Sequence, residues 1–333
     1  MPYSVIAYIY GGGQFLPGFF DKYITNRYKL MHQSRRTFLK SSAVAAAAVM
    51  AMPGDTFAGA GKLRRTAVQL YSVRDEMNKD PKGTLKKLAD MGYTHIEHAN
   101  YNANERTFYG YKVKDFKALL NDLGLKMPSG HTTMGTNHWN KTTNDFNDDW
   151  KRTVEDAAEI GQRYVISPSL WGAKLIPEEM KPYMDQFNKS GELCQKYSMK
   201  FAYHNHDFEF RDKVGDLLVY DFMLQNTDPK FVTWQLDIGN MYIAGAKAAD
   251  YIAKYPGRFE SMHVKDMIAK EGEQGKFESC VLGKGIVPVK DILKLGVKKG
   301  GTTLFVVEQE EYQGLGQSES VGIDLKIMKK WGY

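Results

Sequence analysis

From about Leu63 onward, short apolar runs with strand character alternate with amphipathic helical windows, and the pair repeats about eight times. That rhythm demands parallel strands, because each helix returns the chain to the end of the sheet at which the preceding strand began. The strand candidates are 66–71, 94–97, 125–127, 164–167, 200–206, 232–237, 259–263 and 304–308. Helical windows lie near 84–91, 113–123, 146–160, 177–197, 216–224, 248–255 and 287–299, with Gly92 and Gly124 placed where helices stop. Eight units in roughly 270 residues fit an α/β protein of the (β/α)8, or TIM, barrel type. No Pro/Gly/Ser-rich linker interrupts residues 61–333, so a single domain is expected there, an open doubly wound sheet being the rival topology.

In such a barrel the active site lies at the C-terminal ends of the strands, and four strand candidates end in residues able to hold a divalent metal. They are His204 with His206, Asp237, His263 and Glu308. Burying an unpaired carboxylate costs several kcal/mol, and a metal ion is one of few partners able to offset two in one pocket. The competing account has Lys265 or an Arg neutralising Asp237 and Glu308 in a structural network. His204 and His206 share strand parity and face the same side, so one suits metal binding and the other proton transfer. Glu209, just beyond, is a further acid/base candidate.

A mixed imidazole and carboxylate set suits Mn2+ or Zn2+, with Co2+ and Fe2+ as alternatives, better than Ca2+. Such an ion grips adjacent hydroxyl and carbonyl oxygens of a sugar, acidifies the C–H between them and stabilises the enediolate. A nearby base then completes isomerisation, epimerisation or elimination. The expected catalytic set is His206, Glu308, Lys265 and Glu209, and the expected metal set His204, Asp237, His263 and Glu308. Glu97, His131, Trp171 and Asp266, all near strand ends, are the substrate-contact candidates, and Tyr312 is a candidate apolar wall.

The chain is 43% hydrophobic and 13% aromatic, enough for a sizeable core. Six of its 45 basic and two of its 39 acidic residues fall within the first 60, leaving 39 bases against 37 acids. That near-balance argues against a nucleic-acid partner, which needs a concentrated basic face. Cys194 and Cys280 form no disulfide framework and read as buried apolar residues. Residues 31–60 differ in character. Ser34-Arg35-Arg36-Thr37-Phe38-Leu39-Lys40 resembles the twin-arginine export motif, and an alanine-rich run at 43–52 and the small residues Ala58-Gly59-Ala60 follow it. A cleaved signal is expected, since about ten apolar residues are half of what a bilayer span needs. Its partner would be the twin-arginine export machinery, and the mature protein would be periplasmic or otherwise exported. Residues 1–30 are expected to be a mis-assigned or disordered extension, with Met31 as the start.

The stretch from Leu63 to the C-terminus resembles the xylose isomerase-like TIM-barrel superfamily. Sugar-phosphate isomerases and epimerases, inosose dehydratase, ketose 3-epimerases and, more distantly, endonuclease IV belong to it. The resemblance rests on Leu236-Asp237-Ile238-Gly239-Asn240, His263-Val264-Lys265-Asp266, Gly283-Lys284-Gly285 and Val307-Glu308-Gln309-Glu310. It implies Asp237, His263 and Glu308 as three ligands of a family set of Glu, Asp, His and Glu. Here His204 stands where many members carry the first Glu, and His206 falls where dehydratase-like relatives place a catalytic His. One proton-transferring carboxylate of the epimerase pattern is thus missing, with Glu209 as its candidate replacement. The resemblance implies a metal-dependent sugar isomerase or epimerase, with a lyase acting on a 3-keto-glycoside or inosose as the alternative. Export favours an unphosphorylated sugar or keto-sugar. A non-catalytic sugar-binding barrel and a trinuclear phosphodiesterase complete the set of readings.

Overall fold

The computed structural model describes residues 64–333. The expected extension and export signal, 1–30 and 31–60, lie outside the described residues. Eight parallel strands close a barrel in chain order. They are β1 (Arg65–Gln69), β2 (His95–His98), β3 (Lys126–His131), β4 (Tyr164–Ser167), β5 (Lys200–His204), β6 (Val232–Asp237), β7 (Ser261–Val264) and β8 (Leu304–Val307). Closure is completed by β8 pairing with β1, where Thr66 lies opposite Phe305. The (β/α)8 expectation therefore holds and the open sheet does not. Among the described residues no helix is long and apolar enough to cross a membrane.

The covering helices are α1 (Pro81–Met91), α2 (Val113–Asp122), α3 (Asp148–Ile160), α4 (Pro177–Gln195), α5 (Val219–Gln225), α6 (Ala248–Lys254), α7 (Val289–Leu295) and α8 (Gln317–Trp331). Their starts carry local signals. Asp80 accepts the Gly83 N–H at 2.9 Å before α1, and Asn147 accepts the Trp150 N–H at 3.1 Å before α3. Pro177 opens α4, where its missing N–H removes no helical bond. The expected helix over 287–299 is shorter than the pattern suggested, because the chain loosens into a wide turn at Gly296–Gly300, where two glycines weaken the helix. Helix α8, which completes the eighth unit, carried no clear periodic signal. Short hairpins after β2, β3, β5 and β7 were not anticipated either, since paired strands of two to four residues are too short to show alternation. All four lie between a strand and its following helix, so they build up the C-terminal rim.

Strand parity divides the barrel interior into layers. Ala67, Tyr164, Ile166, Ala202, Leu304 and Val306 pack together as an apolar plug. Stepping two residues along the same strands reaches Gln69, His204 and Glu308, all polar, because every second side chain faces the axis. The opposite parity packs against the helices in two larger clusters, which include Phe201, Tyr203, Trp234 and Phe305 in one and Val68 and Ile96 in the other. Cys194 and Cys280 are buried and unpaired, as expected.

One close approach depends on glycine. A Cβ on Gly130 of β3 would lie 1.8 Å from the imidazole of His98, whose ring is buried and packs edge-on to Phe108. Gly130→Ala should destabilise the protein by about 1–3 kcal/mol or more in urea unfolding. Combined with His98→Ala the cost should be less than additive, because the second change removes the obstructing ring. Strict additivity would show that the two residues do not share this space.

Candidate metal centre at the barrel mouth

Asp237, His263 and Glu308 come from three adjacent strands, and Asp237 lies directly opposite His263 in the β6–β7 register. With His204 from the end of β5 they present ligand atoms that all lie within 4.8 Å of one another, and all four residues are buried. The only other such group among the described residues, His131 with His204 and His263, shares two members with it, so both describe one centre.

The two imidazoles are aimed. His263 directs Nδ1 toward Glu308 Oε2 at 2.9 Å and Asp237 Oδ2 at 3.9 Å, while its Nε2 meets Glu97 Oε1 at 2.6 Å. His204 directs Nε2 toward Asp237 Oδ2 at 3.9 Å, and its Nδ1 lies 3.1 Å from Gln235 Oε1. Each ring therefore has its rear nitrogen held by a buried acceptor and its front nitrogen turned inward, the outer-shell arrangement that orients metal-binding histidines. Asp237 Oδ1 accepts the Asn240 N–H at 2.8 Å, while Oδ2 is buried and accepts no aligned hydrogen bond. Lys265 Nζ lies 3.2 Å from that oxygen, an ion pair by distance. Two inward nitrogens, two carboxylates and one open buried oxygen fit a divalent ion of the mixed N/O class.

Charge in the centre is partly compensated without a metal. Burial opposes ionisation of Glu308, but Lys265 and His263 outweigh it and hold the carboxyl well below its ordinary range. Burial likewise opposes the charge of Glu97, which the His263 and His131 rings overcome. His263, pressed toward neutrality by burial, is instead raised to about 10 by Glu308 and Glu97. His204 is driven well below its ordinary value by burial and then by His263 and His131. His206 is lowered chiefly by burial, against the pull of Asp237.

The second tier follows the same parity one step outward. His206, Lys265 and Glu310 sit two residues beyond His204, His263 and Glu308, and they line a cavity of about 370 Å3 with Tyr71, His131, His204, Asn240 and Glu308. Of the expected contact residues, only His131 reaches this cavity. Glu97 is fully buried beneath the histidines, where it also accepts from Gln69 at 2.8 Å, from Gln235 at 2.7 Å and from Ser129. It is placed to orient His263 and not to touch substrate. Asp266 turns outward and accepts the N–H groups of Gly283, Gly285 and Val287 at 2.8, 3.0 and 3.1 Å, so it organises the loop after β7. Trp171 is 68% exposed and lines none of the cavities at the mouth. Glu209 is buried away from the cavity in the short turn Phe208–Phe210, accepting from Tyr203 Oη at 2.6 Å and the His206 N–H at 2.9 Å. It supports His206 from behind. Tyr312 donates to the Ser72 carbonyl at 2.9 Å and accepts from Arg74 at 2.9 Å.

Gln235 is the residue that sequence reasoning missed. It touches Glu97, His131, His204 and Ser261, and its position two residues before Asp237 on one strand marked it as inward-facing. Its glutamine side chain drew no notice because it is neither charged nor a metal ligand.

The twin-arginine translocation signal sequence family matches residues 32–52, which directs the chain across the membrane, to the periplasm or beyond. Among curated relatives, an inosose dehydratase of Clostridium perfringens is 28% identical over 112 residues, 34% of this chain and 37% of that protein. One of Bacillus licheniformis is 26% identical over 149 residues, 40% of this chain and 48% of that protein. The chain thus spans less than two-thirds of the length of these relatives. A Parabacteroides distasonis structure described as a sugar phosphate isomerase/epimerase superposes with a TM-score of 0.68 at 26% identity, covering 84% of this chain and 97% of that one. The IOLI protein, solved with a zinc atom, superposes at 0.63 with 16% identity, covering 80% and 97%, which shows a shared fold. The family described as xylose isomerase-like TIM barrel matches residues 85–331, and this chain belongs to it.

Proposed function

We propose that this exported barrel is a metal-dependent enzyme that removes a proton beside a carbonyl in an unphosphorylated sugar, inositol-like ketone or keto-glycoside, and that elimination follows. The observation that carries the reading is the aimed ligand set, His204, Asp237, His263 and Glu308, of which His204 and Glu308 line the same cavity as His206. A divalent ion held by those four residues, Mn2+ or Zn2+ by donor type and by the zinc of the IOLI neighbour, would supply Lewis acidity to substrate oxygens. His206 takes the α-proton and the C–H electron pair passes into an enolate on the carbonyl oxygen; as the enolate collapses, Cα=Cβ forms, the Cβ–O bond breaks, and the imidazolium of His206 protonates the departing oxygen. Lys265 donates to the oxygen on which negative charge develops. His131 at the cavity wall is placed to hydrogen-bond a hydroxyl, and Glu97 and Gln235 keep the ligand rings in register.

Epimerisation asks for an acid on each face of the reacting carbon. With His204 in place of the family's first Glu and Glu209 turned away, and with Glu308 and Glu310 both engaged by Lys265, His206 is the base we assign, in line with the dehydratase names of the curated relatives. Isomerisation by return of the proton to the neighbouring carbon uses the same base, and the Parabacteroides neighbour favours it as the second reading. A sugar-binding barrel would retain affinity without exchange. A trinuclear phosphodiesterase would need more ligands than the single centre among the described residues provides.

In deuterium oxide, the Mn2+-loaded protein should exchange the α-hydrogen of a keto-sugar and release water or alcohol, read by mass spectrometry. Glu308→Gln should lower both metal content and turnover by about 100-fold or more, and His206→Asn should cost about 10²–10⁴ in rate with metal content intact. Exchange that persists undiminished in chelator-treated protein would refute the reading.

The chelated protein should also show a definite pH response. A histidine raised from 6.5 to about 10 contributes stability that is full below pH 6.5 and is lost as pH rises through 10. Melting temperatures of the chelated protein and of His263→Asn should therefore converge between pH 6.5 and 10. A constant gap across that window would mean that His263 is not the protonated bridge.

A further inference from the structure

Lys265 sits inside the ligand set and not beside it. Its ammonium lies 2.8 Å from Glu308 Oε2, 3.2 Å from Asp237 Oδ2 and 2.9 Å from Glu310 Oε2, in a residue only 1% exposed. Two of those oxygens belong to proposed metal ligands, and the Asp237 oxygen is the one that accepts no aligned hydrogen bond. The third belongs to Glu310, whose side chain is 37% exposed at the cavity surface. The lysine stem is threaded over Gly239, where a Cβ would lie 2.8–2.9 Å from its Cβ, Cγ and Cδ atoms. Glycine at that place leaves the stem a path from the acid cluster to the cavity.

A monovalent ammonium and a divalent cation held by the same two oxygens repel each other at such short range and compete for that negative charge, so each weakens the other's hold. A merely structural ion pair would need neither the half-exposed third partner nor contact with the ligand oxygens. We propose that Lys265 is a displaceable internal cation. It neutralises Asp237 and Glu308 while no metal is bound, and it yields them to a divalent ion by withdrawing to Glu310. This rests on the metal reading above and extends it in three respects. The barrel keeps its acid cluster compensated, and so its fold, without metal. The ion binds more weakly than it would to the same four ligands alone. Loading also delivers the ammonium to the cavity that receives substrate, so the loaded protein gains both its Lewis acid and its oxyanion donor together.

The test is calorimetric titration of Mn2+ into chelator-stripped protein, with thermal unfolding measured with and without chelator. Lys265→Met should bind Mn2+ about tenfold or more tightly than the wild type, since occupancy of the oxygens by lysine and by metal is reciprocally coupled. Its melting temperature should fall on chelation and recover with Mn2+, while that of the wild type changes little. Glu310→Gln should bind Mn2+ more weakly than the wild type, because the displaced ammonium then lacks its anion, and this variant keeps the acid cluster neutralised. If Lys265→Met fails to fold when stripped, it can be prepared in Mn2+, and the ion should leave to excess chelator more slowly than from the wild type. Equal or weaker binding by Lys265→Met, or unchanged binding by Glu310→Gln, would overturn the displacement. Absence of Mn2+ uptake by both wild type and Lys265→Met would overturn the metal reading itself and this inference with it.

Discussion

Three carboxylates enclosed in the upper half of a barrel set the terms for everything around them. Glu97, Asp237 and Glu308 are 0, 0 and 6% exposed, and ionised groups at such depth are tolerated only when paired and hydrogen-bonded. The surrounding residues answer that requirement in different ways. His263 bridges Glu97 and Glu308, Lys265 neutralises Glu308 and Asp237, and Gln235, Gln69 and Ser129 satisfy the remaining oxygens of Glu97. The arrangement is an electrostatic network first, and its capacity for a metal ion follows from the inward nitrogens and the open oxygen that the network leaves.

The strand period of two then turns that network into a layered device. Below lies the apolar plug of Ala67, Ile166, Ala202 and Val306, which keeps water from the underside of the charges. In the middle are the ligand-type residues, and one step outward are His206, Lys265 and Glu310 at the cavity surface. Within that outer tier Lys265 stays enclosed at 1% exposed, while His206 and Glu310 are partly open toward the rim that hairpins after four strands build up. His206 thus follows His204 just past the end of β5, and Lys265 follows His263 just past the end of β7, each at a two-residue step.

Much of this was legible in the linear chain. The alternation of apolar runs with helical windows specified a (β/α)8 barrel, and His204, Asp237, His263 and Glu308 stood out because each ends an apolar run with a group that burial penalises. The errors have a common physical source. Nearness in sequence to His206 and His263 suggests Glu209 and Asp266 as cavity groups, but each lies an odd number of residues beyond the inward-facing His204 or His263, and their carboxyls serve backbone N–H groups. Glu97 was placed at the cavity surface, whereas it lies a layer below it, because a strand pattern gives the face a residue takes and not its depth. Gln235 escaped notice for want of a charge.

Periodicity is written in the linear chain: it fixes which residues face the axis, which face the helices, and that polar groups crowd one end of the barrel. Only the packed barrel brings Lys265 among Asp237, Glu308 and Glu310 and sets Glu97 behind His263 and Gln235 behind His204. Those relations join strands more than a hundred residues apart in some cases. They are set by the tilt and closure of the barrel, which local propensity does not encode.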